Sequence, residues 1–383
     1  MVNLTSKLLK ISSIPDYYAG KSVFITGGTG FIGKVLIEKL LYSCPDIDKI
    51  YTLIREKKGV STSERAQQFQ NDPLFERLKN KRPKDLEKIV VIPGDIIAPD
   101  LGLLLLLQVF VHISTAYTNT DRKVVEEKLY PPPADINEVY QYVQEGVTEE
   151  QTKILLNERP NTYVFTKAFA EHLVAKNQAF MPTVIVRPAI VTAIKDAPIK
   201  GWVENWNGAS AMTMFTTSGM NRVVYGRRRH TIDLIPVDYV ANLIITAGAK
   251  SSNELQIYNC CSSACNPVTY GKLTDSYKWL VTLITTLFQL IPAWLADFYR
   301  RLRGKNPRYL KLHYLVIQTR EVLEFFTSNS WVMKADRVRE LFASLSPADQ
   351  HTFPCDPTDI NWTDYFQDYY WGVRQLQNRT SRK

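Results

Sequence analysis

The sequence predicts an α/β protein built on a doubly wound parallel sheet, followed by a mainly helical C-terminal region. Three observations support this fold class. A β-branched strand leads through a glycine-rich turn into a helical segment, short apolar strands then alternate with helical segments, and the last third carries long apolar, basic and aromatic segments. The chain has 383 residues, 45% of them hydrophobic and 22% charged, so it can bury a sizeable core.

The first element is the glycine turn in residues 23–33, which read VFITGGTGFIG. A strand at Val23–Ile25 feeds into the glycines and then into the helical segment KVLIEKLLY. In such a turn Gly27 takes a backbone conformation that side chains disfavour, Gly30 lets a pyrophosphate approach the backbone, and Gly33 lets the helix lie close to the strand. Amides at the start of that helix face the phosphates, so the turn predicts a dinucleotide site. A tight turn without a ligand is the alternative, since the glycine spacing alone is a weak signal.

The second strand, Ile50–Ile54, ends at the charged residues 55–58, which read Arg-Glu-Lys-Lys. In dinucleotide-binding folds an acid at this place binds the ribose 2′-hydroxyl of NAD, whereas basic residues accept the 2′-phosphate of NADP. Three basic residues against one acid favour NADP, with Arg55 as the expected contact. A solvated charge run after a strand is the alternative.

The passage after the third strand is unusually short. That strand, residues 89–92, is followed by Asp95, in a position where an acid commonly approaches the adenine, although Gly-Asp is also ordinary turn chemistry. The next strand, residues 109–113, follows after only 16 leucine-rich residues. A crossover alone takes at least about 10–12 residues. We therefore expect the sheet to lack one strand–helix unit.

A helix that begins near Asn161 carries the candidate catalytic pair. Tyr163 and Lys167 are four residues apart and share one helical face. The Lys167 ammonium and the positive nicotinamide of an oxidised cofactor favour the phenolate, which lowers the pKa of Tyr163. Ser114 and Thr115, at the end of a strand, supply a hydroxyl to hold a substrate carbonyl. With 20 tyrosines, about one Tyr-x-x-x-Lys arises by chance, so its place after the glycine turn and this strand is the informative feature.

Other segments are predicted from their composition. Residues 117–159 are polar and contain three consecutive prolines, which indicates a surface excursion, and residues 195–230 fit substrate-side loops over a pocket. Core-like patterning returns in three stretches, residues 183–186, 232–240 and 255–259.

The C-terminal third begins with an apolar stretch. Residues 279–296 carry no charge, and residues 300–311 then carry six basic residues and no acid. This length is at the threshold for a membrane-spanning helix, but a proline, a glutamine and three threonines weaken that interpretation. An interfacial helix and a packed core or substrate-tunnel helix are the alternatives. Residues 331–374 are aromatic and charged and predict a compact helical cap.

Composition restricts the partners and the compartment. The net charge of +9 favours anionic partners, such as nucleotide phosphates, coenzyme A, an acidic membrane face or nucleic acid. No secretory signal is recognisable at the N-terminus, which predicts an intracellular protein. The five cysteines form no paired Cys-x-x-Cys motif, so a reducing compartment and no structural zinc are expected; they are Cys44, Cys260, Cys261, Cys265 and Cys355.

Together these motifs resemble the fatty acyl-CoA reductases of the extended short-chain dehydrogenase/reductase superfamily, especially the insect members. Matching passages cover nearly the whole chain, among them YYAGKSVFITGGTGFIGKVLIEKLL, YTLIREKKG, VHISTAY, RPNTYVFTKAFAEHLV, VIVRPAIV, GWVENWNG, IPVDYVAN, LIPAWLAD and WTDYFQDYYWGVR. The resemblance implies a Rossmann-type NADP-binding reductase domain in residues 1–270 and a helical C-terminal domain in residues 271–383, with an apolar helix at 279–299.

The resemblance also implies the activity and the site. A long-chain fatty acyl-CoA is reduced by two NADPH: the first hydride gives a hemithioacetal that expels coenzyme A, and the second reduces the aldehyde to a primary alcohol. The implied partners are this substrate and a membrane surface, at the cytosolic face of the endoplasmic reticulum or peroxisome, with no metal and no nucleic acid. The catalytic residues are Tyr163, Lys167, Thr115 and Ser114. The cofactor-binding residues are Thr26, Gly27, Gly30, Phe31, Ile32, Gly33, Arg55, Lys58, Asp95, Ile96, Lys167 and Pro188.

The chain departs from the family pattern between PDLGL and VHISTAY. Family members carry there a strand ending in a His-Ala-Ala type segment and a helix whose Asn assists the proton relay, and both are absent from this sequence. A second shortening follows NPVTYGKL. We interpret the first departure as a skipped exon or an imperfect gene model. A catalytically impaired or non-catalytic cofactor- or lipid-binding paralogue, or a truncated isoform, is the alternative, and a nucleotide-sugar epimerase or dehydratase is a third.

Overall fold

The structure is a computed structural model. It describes residues 13–57, 59–95, 107–157, 159–178, 181–204, 206, 208–218, 220–221, 227, 229–269, 283 and 285–381.

The strands in these residues are mostly short. They are β1 (Val23–Ile25), β2 (Ile50–Ile54), β3 (Ile89–Pro93), β4 (Phe110–Ile113), β5 (Val124–Val125), β6 (Thr183–Pro188), β7 (Ile190–Thr192), β8 (Thr231–Ile232), β9 (Leu234–Pro236), β10 (Gln256–Cys260), β11 (Val268–Thr269) and β12 (Val332–Met333). The predicted strands at residues 50–54, 89–92, 109–113 and 183–186 are confirmed to within two residues at each end.

Helices fill the segments between the strands and most of the C-terminal third. They are α1 (Ile14–Tyr18), α2 (Phe31–Ser43), α3 (Thr62–Gln70), α4 (Glu76–Lys81), α5 (Ile136–Glu145), α6 (Glu149–Leu156), α7 (Thr162–Asn177), α8 (Ala209–Thr217), α9 (Val237–Ala249), α10 (Ile291–Leu302), α11 (Tyr309–Ser328), α12 (Asp336–Ala343), α13 (Pro347–Thr352) and α14 (Trp362–Ser381). Short 3₁₀ turns lie at Pro73–Phe75, Pro83–Lys88, Ala116–Asn119 and Pro357–Asp359.

The parallel strands form two separate three-stranded sheets. Their orders are β1–β2–β3 and β10–β6–β4. A doubly wound sheet places β1 beside the strand that follows β3, yet within the described residues β1 and β4 are not hydrogen-bonded to each other. All six residues of the central strand β6 are buried, whereas all four residues of β4 are only half-buried. The sheet is thus interrupted where the sequence predicts a missing strand–helix unit.

Helix α9 connects the two sheets. Its 13 residues are all buried, and it packs on α2, β4 and β6. The Tyr18 hydroxyl of α1 donates a hydrogen bond to the Ile245 carbonyl over 2.8 Å. A Cβ on Gly248 would lie 3.1 Å from that hydroxyl and 3.6 Å from Cγ2 of Val111 in β4. Helix packing therefore holds the two sheets together where strand pairing does not.

Two segments predicted as loops contain more structure than expected. The first is the predicted surface excursion at residues 117–159. Its early part is anchored by the buried residues Tyr117, Val125 and Tyr130, whereas the helices α5 and α6 of its later part bury no residue. The predicted loop region at 195–230 includes the helix α8. The first prediction holds for α5 and α6 but not for the start of the segment, where Tyr117 packs edge-on against the rings of Phe326 and Trp331. The second missed α8, which packs on the distant helices α11 and α14.

The predicted apolar helix at 279–299 is only partly described, because residues 279–282 and 284 lie outside the described residues. From Thr286 a π-helical turn, Thr286–Leu290, continues into α10. Among the helices that the structure describes, none combines the length and the apolar character needed to cross a bilayer.

The C-terminal helix α14 packs closely on the segment that precedes α8. A Cβ on Gly372 of α14 would lie 1.5 Å from the Gly201 carbonyl oxygen, so only glycine fits at this contact. Gly201 itself has φ +73°. The Arg379 guanidinium lies 3.8 Å from the centre of the Trp202 ring. The predicted compact helical cap is therefore part of the same fold as the α/β region.

Candidate active site

The glycine turn joins β1 to α2 with the geometry of an anion site. Gly27 has φ +70°, the left-handed conformation that the sequence predicts for it, and the Gly30 amide donates to the Gly27 carbonyl over 2.9 Å. Gly30 is the N-cap of α2 and has no side chain to cap it. The amides of Phe31, Ile32 and Gly33 thus open the helix without a side-chain acceptor, as a bound diphosphate requires.

Two glycines in this turn are required by packing. A Cβ on Gly33 would lie 2.5 Å from the Gly27 carbonyl oxygen, so the close approach predicted for this position is present. A Cβ on Gly28 would lie 2.0 Å from Oγ1 of Thr52 in β2. Gly28 has no predicted role, although it is visible in the sequence as a fourth glycine of the turn. Thr26, the other predicted residue, directly follows β1.

Two arginines lie beside the turn. Arg55, which directly follows β2, forms a salt bridge with Asp95 over 2.9 Å, so two residues predicted to bind the cofactor are paired with each other. Arg65, in α3, donates to the Arg55 carbonyl and to Oγ1 of Thr29 in the turn, the latter over 3.4 Å. Arg65 was not predicted as a cofactor contact. The sequence indicates it only as a basic residue in the first helix after β2. The predicted contacts Lys58 and Ile96 lie outside the described residues.

The predicted catalytic residues come together at the carboxyl end of β4. Helix α7 starts directly before Tyr163, where the Asn161 side chain accepts a hydrogen bond from the Val164 amide over 3.0 Å. Tyr163 is 54% exposed, and the buried Thr115 hydroxyl lies near enough to lower the pKa of its phenol. Lys167, one turn further along α7, donates from Nζ to a backbone carbonyl at the end of β4, that of Ile113, over 2.8 Å.

Ser114 and Pro188 border this cluster. The Ser114 hydroxyl is buried and has no hydrogen-bond partner in the part of the chain that the structure describes. Such a group is costly unless a ligand or water binds it. The Pro188 carbonyl, at the end of β6, accepts a hydrogen bond from the Thr115 hydroxyl over 3.4 Å. Thr115 is thus hydrogen-bonded to the end of the neighbouring strand and lies near the Tyr163 phenol.

Burial is the largest influence on the pKa values of Tyr163 and Lys167. Partial burial raises the pKa of Tyr163, and the Thr115 hydroxyl lowers it only in part. The predicted lowering depends on Lys167 together with an oxidised nicotinamide, and the Lys167 amine is bound to the Ile113 carbonyl. Burial lowers the pKa of Lys167, and the Glu171 carboxylate opposes that effect. A raised pKa keeps Tyr163 protonated, which is the form that donates a proton to a carbonyl oxygen.

The two parts of the site belong to different sheets. The glycine turn and the two arginines are on the β1–β2–β3 side, whereas Thr115, Tyr163 and Lys167 are on the β4–β6–β10 side. Both parts lie at carboxyl ends of parallel strands, where α/β proteins of this type bind their ligands. The arrangement suits a nicotinamide cofactor on one sheet and proton transfer to a carbonyl on the other.

Comparison with known proteins identifies relatives along nearly the whole chain. Family models described as male sterility protein match residues 25–105, 104–244 and 288–378, the first two with an NAD-binding model. Fatty acyl-CoA reductase 1 of Homo sapiens is 32% identical over 441 residues, which cover 95% of this chain and 86% of that protein. Fatty acyl-CoA reductase 2 of Mus musculus is 31% identical over 443 residues, with the same coverage.

Solved structures support the fold. The terminal R domain of the myxalamid PKS-NRPS pathway has a TM-score of 0.56 at 16% identity, covering 93% of this chain and 91% of that one. The reductase domain of a non-ribosomal peptide synthetase from Mycobacterium tuberculosis has a TM-score of 0.55 at 17% identity, with 96% of each chain covered. At such low identity these likenesses concern the fold alone.

The comparisons also locate the shortening. The alignment with the human protein spans 441 residues, whereas this chain has 383, so that relative carries residues that this chain lacks. The NAD-binding family model matches in two stretches that meet at residues 104–105. That junction lies between β3 and β4, where the sheet is interrupted.

Proposed function

Because the chain belongs to the fatty acyl-CoA reductase family, we propose that it reduces a long-chain fatty acyl-CoA to the primary alcohol, through an aldehyde, with NADPH as the reductant. The cluster of Thr115, Tyr163 and Lys167 at the end of β4 is the observation that carries this proposal. It supplies a proton donor and a hydroxyl contact for a carbonyl oxygen in one place.

The residues present fit a nicotinamide dinucleotide. The uncapped amides at the start of α2 suit the diphosphate, and Gly30 leaves the backbone open to it. The Arg65 guanidinium lies beside the turn, and Arg55, whose carbonyl it contacts, adds a second positive charge. Both charges favour the 2′-phosphate of NADPH over the free hydroxyl of NADH. When bound, NADPH supplies the hydride.

The protein residues hold and protonate the substrate. Thr115 orients the thioester carbonyl, and Tyr163 donates a proton to its oxygen as hydride reaches the carbon, which gives a hemithioacetal. The hemithioacetal collapses to the aldehyde with release of the coenzyme A thiolate. A second hydride and a second proton convert the aldehyde into the alcohol. Lys167 compensates the negative charge that develops on the Tyr163 oxygen in both steps.

The C-terminal third suits association with a membrane surface, at the cytosolic face of the endoplasmic reticulum or peroxisome. Large apolar side chains are exposed along the π-helical turn and α10, and basic residues follow at once. The apolar residues are Leu287, Phe288, Ile291, Trp294, Leu295, Phe298 and Leu302. The basic residues are Arg300, Arg301, Arg303 and Lys305. An apolar face bordered by positive charge is typical of helices that lie in the interface of an anionic bilayer.

A second candidate is a non-catalytic or impaired cofactor- or lipid-binding relative. The interruption between β1 and β4 favours it, because the glycine turn and the catalytic cluster belong to sheets that no strand joins in the described residues. The third alternative, a nucleotide-sugar epimerase, does not account for the family match over residues 288–378.

Turnover separates the first two candidates. We expect the purified chain to oxidise NADPH in the presence of palmitoyl-CoA and to release free coenzyme A and hexadecanol, identified by gas chromatography. Replacement of Tyr163 by Phe removes the proton donor and should lower the rate at least about 100-fold. The dissociation constant for NADPH should stay within about twofold, because the phenol acts on the substrate.

The same experiment can contradict the proposal in two ways. Wild-type chain that binds NADPH but yields neither coenzyme A nor alcohol favours the non-catalytic candidate. A Tyr163→Phe variant with full activity shows that another group protonates the carbonyl.

A further inference from the structure

A largely buried lysine connects α2 with two other segments of the chain. Lys34 lies four residues after the N-cap Gly30, and its amide donates to the Gly30 carbonyl over 2.9 Å. Its ammonium forms two salt bridges, one with Asp72 and one with Glu204, each over 2.6 Å. The side chains of Lys34, Asp72 and Glu204 are 13%, 16% and 12% exposed. Two carboxylates of separate segments thus share one ammonium group.

The two carboxylates belong to different parts of the fold. Asp72 directly precedes the 3₁₀ turn Pro73–Phe75, and its second oxygen accepts a hydrogen bond from the Leu74 amide over 3.0 Å. This turn lies between β2 and β3, so the Asp72 salt bridge stays within the half of the site that contains the glycine turn. Glu204 lies between β7 and α8, in a segment that continues from the catalytic half. The Glu204 salt bridge therefore joins α2 to that segment.

The segment 193–204 starts beside the catalytic cluster. It follows β7, which begins two residues after Pro188, and the Pro188 carbonyl accepts the hydrogen bond from the Thr115 hydroxyl. Its other end is Glu204, on Lys34 of α2. The segment therefore extends from the end of β6 to the helix that follows the glycine turn.

Two helices fix the rest of this segment. Asp238 of α9 accepts hydrogen bonds from the amides of residues 195 and 196, each over 3.0 Å. In α14 the Tyr365 hydroxyl donates to the Ala193 carbonyl over 2.9 Å. The segment is thus held along its length by α9 and α14, and the salt bridge to α2 fixes its last residue.

The position of this segment matters for the substrate. A thioester that takes a hydride from a cofactor on α2 and a proton from Tyr163 lies between the two halves of the site. Segment 193–204 reaches from one half to the other, so it borders the space between them. A shift of its end would change the shape of that space without changing the contacts of Tyr163 or of the glycine turn.

We propose that Glu204 is a positioning residue, which Lys34 holds so that segment 193–204 forms a fixed wall of the acyl-CoA site. This inference rests on the proposed function for its effect on substrate binding, but not for its effect on the order of the segment. If Lys34 only stabilised α2, its two salt bridges would be interchangeable. The two carboxylates therefore provide the test.

The test compares two variants that each remove one of the two carboxylate charges. Glu204→Gln removes the charge that belongs to the segment and keeps the size of the side chain. Asp72→Asn is the matched control, because it breaks a salt bridge of the same length to the same lysine and keeps the oxygen that accepts from the Leu74 amide. Each variant leaves Lys34 with one carboxylate, so neither leaves its charge without a partner. Thermal unfolding of both variants is measured, so that a loss of fold is recognised.

Amide hydrogen exchange of the segment needs no turnover and is followed by mass spectrometry. The Gly201 and Trp202 amides donate to carbonyls within the segment, over 2.8 and 3.1 Å. We expect these two amides to exchange about tenfold faster in Glu204→Gln and at the wild-type rate in Asp72→Asn, because only the first variant frees the end of the segment.

The kinetic constants then test the effect on the substrate. We expect Glu204→Gln to raise the KM for palmitoyl-CoA about tenfold and to lower kcat by less than about threefold, because the wall contacts the substrate away from the reacting carbonyl. The dissociation constant for NADPH should stay within about twofold in both variants, because the glycine turn keeps its contacts.

Unchanged exchange at Gly201 and Trp202 in folded Glu204→Gln overturns the inference. Faster exchange beside an unchanged KM overturns the link to the substrate. An equal rise of KM in Asp72→Asn, or a weaker NADPH affinity in Glu204→Gln, assigns both salt bridges to the stability of α2 and likewise contradicts the inference. If the wild-type chain shows no turnover while exchange differs between the two variants, the proposed function fails and the role of Glu204 in fixing the segment stands.

Discussion

Arg65 changes the interpretation of the cofactor site at the level of single residues. The charged cluster after β2 contributes Arg55, but Arg55 is paired with Asp95. Arg65 reaches back from α3 to the Arg55 carbonyl and to Thr29 of the glycine turn. The basic surface beside the turn is thus assembled from two elements.

This arrangement predicts that both arginines select the phosphorylated cofactor. We expect Arg55→Ala and Arg65→Ala each to raise the dissociation constant for NADPH about 10- to 100-fold, because each removes a charge-assisted contact worth about 1.5–3 kcal/mol. Affinity for NADH should change by less than about threefold. Isothermal titration with both cofactors measures these values, and Lys84→Ala, at an exposed lysine of the turn Pro83–Lys88, is the control. Equal losses for both cofactors would assign the arginines to folding of the turn instead.

The sequence predicted the placement of Thr115, Tyr163 and Lys167 better than that of their surroundings. Tyr163 and Lys167 lie on one helix, so their spacing alone places them on one face, and Thr115 ends a recognisable strand. The contacts of Arg65 with the glycine turn, and the buried salt bridge between Glu171 of α7 and Arg187 of β6, join separate elements and leave no pattern in the sequence. Burial raises the pKa of Tyr163, and burial is likewise a property of the folded chain that the sequence does not show.

At the level of elements, α10 presents its apolar side chains outward. Trp294 and Phe298 are 53% and 49% exposed, and their rings stack with centres 5.8 Å apart. Only Ala293 and Asp297 of this helix are buried. Asp297 accepts hydrogen bonds from the first amides of α11, over 2.9 Å from Leu310, which fixes the angle between the two helices. The apolar face is therefore held in a defined orientation.

The orientation of α10 predicts binding to anionic vesicles. We expect Trp294→Ser with Phe298→Ser to weaken co-sedimentation with phosphatidylserine-containing vesicles at least about tenfold, because two apolar side chains no longer enter the interface. A matched control is Val143→Ser with Ile154→Ser, which removes two apolar side chains, 68% and 77% exposed, from α5 and α6. Equal vesicle binding by the two double variants would contradict a membrane role for α10.

Elements with strong local patterns were predicted closely, and elements without them were not. Ile50–Ile54 was predicted at its observed bounds because a β-branched run ends at a charge cluster. Helix α8 lacks a charge or periodic pattern, and it packs on the distant helices α11 and α14. Packing on distant segments decides such elements.

At the level of the whole molecule, the sheet is interrupted in the described residues, between those predicted to bind the cofactor and those predicted to be catalytic. In an uninterrupted sheet, backbone hydrogen bonds would fix the distance between the glycine turn and Thr115. Here α9 performs this task by packing on α2 from one side and on β4 and β6 from the other. Side-chain packing is less restrictive than a strand ladder, so the alignment of the two sheets depends on the integrity of α9.

The interruption predicts an uneven pattern of amide hydrogen exchange. The Phe110 amide donates to the Pro182 carbonyl, directly before β6, over 2.9 Å, and the Ser114 amide donates to the Val186 carbonyl in β6 over 2.8 Å. Because donors alternate along a parallel strand, the amides of Val111 and Ile113 face the side where β1 would be. These two amides should exchange at least roughly tenfold faster than that of Val184, which lies in the central strand β6.

Amide exchange measured by NMR on the full chain shows whether the edge of β4 that faces away from β6 is open to water or paired with another segment. Protection of Val111 and Ile113 equal to that of Val184 would mean that another segment pairs with β4 in solution. Fast exchange at both positions, with slow exchange in α9, would show that helix packing alone maintains the two halves of the active site. The glycine turn and the Tyr163 cluster would then function only as long as α9 stays docked on both sheets.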